Sequence, residues 1–306
     1  MKRDLISIND LQRADIERYL ALAAAVEPLP REHKHRLLRG YLMMEMFFEP
    51  STRTKLSFEA AMRRLGGDVM GFADVSSTSV KKGETFLDTV KTVENYADIL
   101  VIRHSQEGAA RMAAEASRLP VLNAGDGTNQ HPSQTLLDLY TIQKFFGRLQ
   151  DLRICLAGDL KYSRTVFSLL KTLMMFPGNE LVLCSPEALR VPDYLKYDAE
   201  GRRLSFVETD DLAAAVAHCD LLYMTRIQRE RFGDVLEYER VKDIFVLDAA
   251  MLRHARPHLK VMHPLPRVRE IALDVDPTPH AGYFQQVENG MFMRQAILLD
   301  HLGVSL

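Results

Sequence analysis

The sequence predicts an α/β protein built on two parallel sheets, each covered by helices. Three observations predict it. Apolar runs of strand length alternate with stretches of helical spacing along the chain, and strands that alternate with helices pair in parallel. The runs are apolar throughout, as in Ile99-Leu100-Val101-Ile102, which is the pattern of strands covered on both faces. The chain has 306 residues, enough for two domains of about 100–200 residues each.

Taken in order, Asn9 or Asp10 is suited to cap a first helix that runs to Val26 and stops at Pro28-Leu29-Pro30. Residues 41–48 form an apolar strand. Phe58, Met62 and Leu65 then recur at i, i+4 and i+7, which predicts a helix over 52–65 closed by Gly66-Gly67. A strand at 68–72, a polar loop at 74–82, a helix at 84–96, a strand at 98–103, a helix at 106–118 and a strand at 121–124 complete a first domain, residues 1–133. A helix over 132–146 leads to the second domain, 147–285. There the pattern predicts strands at 153–157, 181–184, 204–207, 220–224, 244–247 and 260–262, with helices at 163–175, 187–197 and 210–217. A last helix spans 284–302, and residues 286–306 are expected to pack back on the first domain. The expected architecture is two Rossmann-like domains joined by interdomain helices.

Composition removes several function classes. A formal net charge of -2 argues against a general polyanion binder, so no nucleic-acid partner is expected. Cys155, Cys184 and Cys219 show no C-x-x-C spacing, which points to a reducing compartment without structural zinc. Met1 to Leu5 lacks the apolar core of a secretory leader, and no run of about 20 apolar residues exists to span a membrane. The expected location is the cytoplasm. G-x-G-x-x-G, G-x-x-x-x-G-K-[ST] and G-x-S-x-G are all missing, so neither a nucleotide cofactor nor a nucleophile elbow is expected. The histidines lack metal spacing; His254 and His258 are separated by Pro257.

Ligands of parallel sheets bind at the C-terminal ends of strands. After 41–48 come Ser51, Thr52, Arg53 and Thr54. By themselves they support two readings equally: a capped helix start with a solvated Arg, or a site for a phosphate-like dianion at a helix N-terminus. The other strand ends carry Arg103 and His104; Asn123 to His131, then Gln134; Gly158 to Thr165 with Arg164; Thr225, Arg226 and Gln228; and His263-Pro264-Leu265-Pro266-Arg267. A single Arg in a loop is ordinarily a solvated charge. Recurrence at equivalent ends of two sheets points to ligands with several negative charges, since Arg captures carboxylate and phosphate bidentately. His131 either caps its helix or polarises a carbonyl oxygen. The Pro264-Leu265 turn is a chain reversal whose carbonyls are also able to accept from an amide NH₂. Lys81 and Lys82 are either solvated or directed at an anionic ligand in a neighbouring chain.

Together, Ser51-Thr52-Arg53-Thr54, Arg103, His131-Pro132-Ser133-Gln134, Arg164-Thr165, Arg226-Ile227-Gln228 and His263-Pro264-Leu265-Pro266 form six ordered motifs over nearly the whole chain. In this order and spacing the chain resembles the aspartate/ornithine carbamoyltransferase family. The resemblance implies transfer of the carbamoyl group of carbamoyl phosphate to the amino group of L-aspartate, giving N-carbamoyl-L-aspartate and phosphate, an early step of pyrimidine biosynthesis. It implies that Ser51, Thr52, Arg53, Thr54 and Arg103 bind the phosphate. His131, Thr54 and Arg103 would stand at the carbamoyl oxygen. Gln134 and the carbonyls of Pro264 and Leu265 would hold the carbamoyl nitrogen, and Arg164, Thr165, Arg226 and Gln228 the aspartate carboxylates. It further implies a homotrimer in which Ser79 and Lys82 are lent to the adjacent chain's site, no cofactor or metal, and room for a separate regulatory chain. Within the family, Arg226 with Lys82, and Leu265 where the ornithine branch carries Cys, favour aspartate over ornithine. Retention of Arg53, Arg103, His131 and Arg226 argues against a non-catalytic anion-binding homologue. Glu49, next to the first motif, is expected to pair with Arg164 or Arg231.

Overall fold

A computed structural model describes residues 3–73, 82–197, 204–229, 232–241 and 243–306. The chain divides into two compact units: Met1–Thr141 with Glu288–Leu306, and Ile142–Val287.

The sheet of unit 1 contains β1 (Leu42–Phe47), β2 (Asp68–Phe72), β3 (Ile99–His104) and β4 (Val121–Asp126), all parallel in the order β2-β1-β3-β4. Leu5 adds to its edge: its N–H donates to the Val121 carbonyl at 2.9 Å, and its carbonyl accepts from Asn123 N–H at 2.8 Å. The helices are α1 (Arg13–Val26), α2 (Arg31–Leu37), α3 (Thr52–Arg64), α4 (Phe86–Val93), α5 (Ala109–Ala116) and the start of α6 (Pro132–Phe146). Strand alternation puts Met44 and Met46 on one face of β1, where they pack with Leu100, Ile102, Val90, Ala110 and Ala113. On α3, Phe58, Met62 and Leu65 are fully buried. Burial is worth roughly 1.5–3 kcal/mol for each such side chain, against about 1 kcal/mol for a cap. Packing therefore fixes α3 and leaves its N-terminal residues available for other work. Gly66 closes the helix at φ +90°, where an added Cβ would stand 1.9 Å from the His35 carbonyl oxygen.

Unit 2 contains β5 (Arg153–Ala157), β6 (Glu180–Cys184), β7 (Val207–Thr209), β8 (Leu221–Met224) and β9 (Lys260–Met262), parallel in the order β7-β6-β5-β8-β9. Its helices are α7 (Arg164–Leu173), α8 (Leu212–His218), α9 (Val235–Val241) and α10 (Ala249–Leu252). All three cysteines are free, and they are buried in its core with Leu222, Val261 and Tyr283. Burial pushes the Cys219 thiol up to about 12.

α11 (Tyr283–Leu302) begins in unit 2, and its residues from Glu288 onward belong to unit 1. There Asn289 Nδ2 donates to Thr141 Oγ1 at 3.2 Å. His301 Nδ1 lies 2.9 Å from the Arg3 carbonyl, which only accepts, so this nitrogen carries the proton. His301 Nε2 then accepts from the Tyr19 hydroxyl at 2.9 Å. Among the described residues no helix is long and apolar enough to cross a membrane.

Several sequence expectations are corrected. The first helix starts at Arg13, where Gln12 and Asp15 form the capping box, and a 3₁₀ turn at Ile8–Asp10 precedes it. Pro30 is the N-cap of α2, which the sequence reading missed. The helix expected at 187–197 is two 3₁₀ turns, Glu187–Leu189 and Asp193–Leu195, each preceded by a proline that supplies no N–H. The strand expected at 204–207 is β7, displaced to Val207–Thr209. The run at 244–247 is no strand. Leu247 makes one bridge, to Ile271, and Phe245 and Leu247 serve the core. α9 and α10 were not expected.

Candidate active site

Each sheet reverses its direction of winding once. In unit 1 the chain goes outward from β1 to β2 and then crosses to β3 on the other side. In unit 2 it goes from β5 out to β7 and crosses to β8. Such reversals open a crevice at the strand C-termini. The residues next to these crevices are α3's first turn and Arg103 in unit 1, and α7's first turn and Thr225 to Gln228 in unit 2.

In unit 1, Ser51 occupies the N-cap of α3 at φ -156°, ψ 97°, yet its side chain makes no capping hydrogen bond. The capped-helix reading of the Ser-Thr-Arg-Thr stretch required that bond. The stretch instead presents hydroxyls and backbone N–H groups at a positive helix end. Thr52 and Arg53 are exposed and Thr54 is buried.

Arg103, at the end of β3, is 9% exposed. Its guanidinium donates to the Ala124 carbonyl of β4 at 3.1 Å and pairs with Glu49, just after β1, at 3.1 Å. Burial lowers its pKa, with the Glu49 charge opposing. The guanidinium therefore bridges the C-terminal ends of β1 and β4. Glu49 thus has a partner within unit 1; of the two partners expected for it, Arg231 lies outside the described residues.

The loop after β4 is organised by Asp126, which sequence reasoning missed. Its carboxylate accepts from Gly108 N–H at 2.9 Å, Gln130 N–H at 3.0 Å, Asn123 Nδ2 at 3.0 Å and Asn129 Nδ2 at 3.0 Å. Held this way, the loop delivers His131 and Gln134 to the start of α6. His131 is buried, with Ser133 Oγ 3.4 Å from Nδ1. Gln134 is half-buried, and its amide nitrogen donates to Asp138 Oδ1 at 2.8 Å.

In unit 2, Arg164 opens α7 behind Ser163, and Ser163 Oγ lies 3.0 Å from Thr165 Oγ1. Asp159, fully buried and also missed, ties this loop to the one after β8. It accepts from Lys161 N–H at 3.1 Å, Tyr162 N–H at 2.9 Å and Gln228 N–H at 3.4 Å. Burial raises its pKa, while those N–H groups and the Arg226 charge pull the other way. Gln228 Nε2 donates to the Tyr162 carbonyl at 3.3 Å. Gly158 has φ +108°, and an added Cβ would meet the Thr225 carbonyl oxygen at 2.2 Å, so only glycine lets the two loops approach. Arg164, Thr165, Arg226 and Gln228 are thus gathered at one switch point.

The turn after β9 is held separately. Leu265 has φ +50°, a left-handed conformation costing roughly 1–2 kcal/mol for a non-glycine residue. Its N–H donates to His263 Nδ1 at 2.8 Å. That leaves the ring proton on Nε2, which donates to Glu270 Oε1 at 2.7 Å. Glu270 Oε2 accepts from Val268 N–H at 3.2 Å and Arg269 N–H at 3.0 Å. Arg267 pairs with Asp276 and donates to the Tyr283 hydroxyl at 3.1 Å, so this Arg braces the turn.

Ser79 lies outside the described residues, and Lys82 is exposed just before α4. Among the described residues no group of three His, Cys, Asp or Glu side chains is placed to hold a metal ion.

Two parallel α/β units, each with arginine and hydroxyl side chains gathered at its switch point, define a two-domain α/β class. The chain belongs to the aspartate/ornithine carbamoyltransferase family. The family's carbamoyl-P binding domain matches residues 3–144, and its Asp/Orn binding domain matches residues 150–300. The chain is 54% identical over 303 residues to the aspartate carbamoyltransferase catalytic subunit of Thermococcus onnurineus, covering 99% of this chain and 97% of that protein. It superposes with a TM-score of 0.91 and 45% identity on the catalytic subunit of M. jannaschii aspartate transcarbamoylase, covering 99% of this chain and 98% of that one. Aspartate transcarbamoylase from Trypanosoma cruzi, in complex with N-(phosphonacetyl)-L-aspartic acid, gives a TM-score of 0.88 at 40% identity, covering 97% and 95%. The same enzyme has been crystallised with carbamoyl aspartate and phosphate.

Proposed function

We propose that the chain is an aspartate carbamoyltransferase, which moves the carbamoyl group of carbamoyl phosphate to the amino group of L-aspartate. The observation that carries this reading is the pair of anion-binding sets, one at each switch point: a helix N-terminus with Arg103 in unit 1, and Arg164 with Arg226 in unit 2. Unit 1, with Ser51, Thr52, Arg53, Thr54 and Arg103, takes the phosphate-bearing ligand. Unit 2, with Arg164, Thr165, Arg226 and Gln228, takes the dicarboxylate. A phosphate dianion competes with Glu49 for Arg103, so Arg103 changes partner as the ligand binds.

The amine attacks the carbamoyl carbon as the neutral base, and the carbamoyl oxygen becomes an oxyanion. Its collapse breaks the bond to the phosphate oxygen, and the departing phosphate takes the amine proton. Thr54, Arg103 and His131 are the donors we assign to the oxyanion; such donors are worth about 2.7–4 kcal/mol each. Gln134 and the carbonyls of Pro264 and Leu265 accept from the carbamoyl NH₂. Ordering both substrates supplies much of the remaining barrier reduction. The reading requires neither a side-chain nucleophile nor a metal.

We also propose a cytoplasmic homotrimer in which Ser79 and Lys82 complete the neighbouring chain's site, with a regulatory chain as a further partner. Three free buried cysteines support a reducing compartment, and the relatives named as catalytic subunits support an assembly of more than one chain type. The test is a product assay with carbamoyl phosphate and either L-aspartate or ornithine. N-carbamoyl-L-aspartate from the first and no product from the second is expected; citrulline formation would overturn the reading.

A further inference from the structure

Two buried groups in unit 1, Asp138 and Arg294, and the half-buried Ser57 have no part in the reading above. Asp138 is fully buried and lies one turn after Gln134 on α6. Gln134 Nε2 donates to its Oδ1 at 2.8 Å. The Asp138 oxygen thus takes the NH₂ end of the Gln134 amide and turns Oε1 away.

Arg294 on α11 is the cation whose charge acts together with that of the buried Asp138 inside unit 1. Arg294 is 4% exposed. Burial lowers its pKa to about 10, with the Asp138 charge holding it up, so it remains a cation at neutral pH. Its guanidinium donates to Ser57 Oγ at 2.9 Å and to the Gly290 carbonyl at 3.3 Å, and lies 5.0 Å from the centre of the Phe58 ring. A Cβ at Gly290 would come within 2.9 Å of the guanidinium, so glycine makes room for it. Ser57 and Phe58 belong to α3, one turn beyond the Ser-Thr-Arg-Thr stretch. Arg294 therefore touches the helix proposed to hold the phosphate and carries the charge that acts on the carboxylate holding Gln134.

We propose that Asp138, with Arg294 as its counter-ion, is a positioning residue that locks the Gln134 amide with its carbonyl oxygen toward the ligand, and that this lock makes unit 1 select a carbamoyl group over an acetyl group. The inference rests on the assignment of Gln134 to the carbamoyl nitrogen. Carbamoyl and acetyl phosphate have nearly the same shape and the same phosphate; they differ in NH₂ against CH₃ on the acyl carbon. An outward Oε1 accepts from the first and has nothing to accept from the second. A site built to bond an N–H discriminates through the polar group left unpaired by the wrong ligand. Were the amide reversed, its NH₂ would face the ligand's NH₂.

The test uses two hydrolytically stable probes, phosphonoacetamide and acetonylphosphonate, which differ in the same way, with inorganic phosphate as a control. Affinities are measured by calorimetry on the whole protein. The wild type is expected to prefer the amide probe by about tenfold or more, the scale of one lost hydrogen bond with an orphaned acceptor. In Asp138→Asn the new amide accommodates either orientation of Gln134, and the preference should fall toward unity while phosphate affinity changes less than about threefold. If the lone substitution fails to fold because Arg294 loses its counter-ion, Asp138→Asn/Arg294→Met removes both charges and should show the same loss. A folded variant that keeps the wild-type preference overturns the lock. A wild type that binds phosphate but does not distinguish the probes overturns it as well, while the product assay independently judges the proposed reaction. A merely structural role for Asp138 would weaken all three ligands together.

Discussion

Glu270→Gln tests whether the turn carrying Pro264 and Leu265 is held by chemistry outside the turn itself. In the wild type Glu270 accepts three N–H groups, from His263, Val268 and Arg269. A glutamine of the same shape accepts with one end and donates with the other, so it opposes a donor on at least one side. The loss is one charge-assisted hydrogen bond, about 1.5–3 kcal/mol, and a donor left without an acceptor. His263 is then free to turn, and Leu265 loses the partner that holds it at φ +50°. A cost of roughly 2–4 kcal/mol follows, which corresponds to about 30-fold to several-hundred-fold in the population of the native turn. Because the turn is assigned to the carbamoyl nitrogen, kcat/KM should fall by about 10- to 100-fold, and ring-nitrogen NMR should show His263 leaving its single Nε2-protonated form. Burial opposes ionisation of Glu270, but His263 and the backbone N–H groups outweigh it and the pKa is lowered. Its contribution is therefore present above the unfolded carboxylate value of about 4.3 and is lost as pH falls through the folded value. A variant with unchanged melting temperature and kcat/KM at pH 7 would refute the argument.

Arg53→Ala should lower turnover by orders of magnitude with the fold intact, since Arg53 is exposed at the mouth of α3; near-normal turnover in a folded variant would end the anion-site reading. Mixing Lys82→Ala chains with His131→Ala chains should recover activity if neighbouring chains share sites, and no recovery in verified mixed assemblies would count against sharing. Glu45 gives a pH signature of opposite sign to Glu270. It is fully buried beside Lys55 at 3.0 Å, and burial raises its pKa to about 7. The folded chain then binds the extra proton between about pH 4.5 and 7, so unit 1 loses stability as pH rises through that window, by on the order of 3 kcal/mol. Glu45→Gln should gain in melting temperature over the wild type as pH goes from 5 to 8; a pH-independent difference would refute it.

What was legible in the sequence had local causes. The Phe58, Met62 and Leu65 stripe and the Gly66-Gly67 stop set α3, and the cluster of Ser, Thr and Arg at its start marked a candidate anion site because a helix N-terminus favours anions. The side chains that aim the site were not legible. Asp138 looked like one more polar residue on α6, and its meaning depends on Arg294, 156 positions later. Asp159 likewise reaches Gln228 in a loop that only the folded sheet brings beside it, whereas Glu270 holds its own turn, through His263, Val268 and Arg269. The run at 244–247 was misread for the converse reason: apolar composition reports burial, and burial beneath helices and burial within a sheet look alike in a short segment. Pro30 was read as a stop because proline ends helices, yet it also starts them, where no N–H is needed.

The loops after β4, β5, β8 and β9 carry backbone N–H groups that no strand or helix satisfies. Such loops would remain disordered without compensation. The structure supplies it with buried acids placed behind them: Asp126 under the loop after β4, Asp138 behind Gln134, Asp159 between the loops after β5 and β8, and Glu270 under the last turn. A carboxylate suits this position because it only accepts, so every donor it engages is turned toward it. Asparagine or glutamine at the same place would satisfy the count of hydrogen bonds but leave the direction open. The acids thus give these loops a defined polarity, and they do so from buried positions.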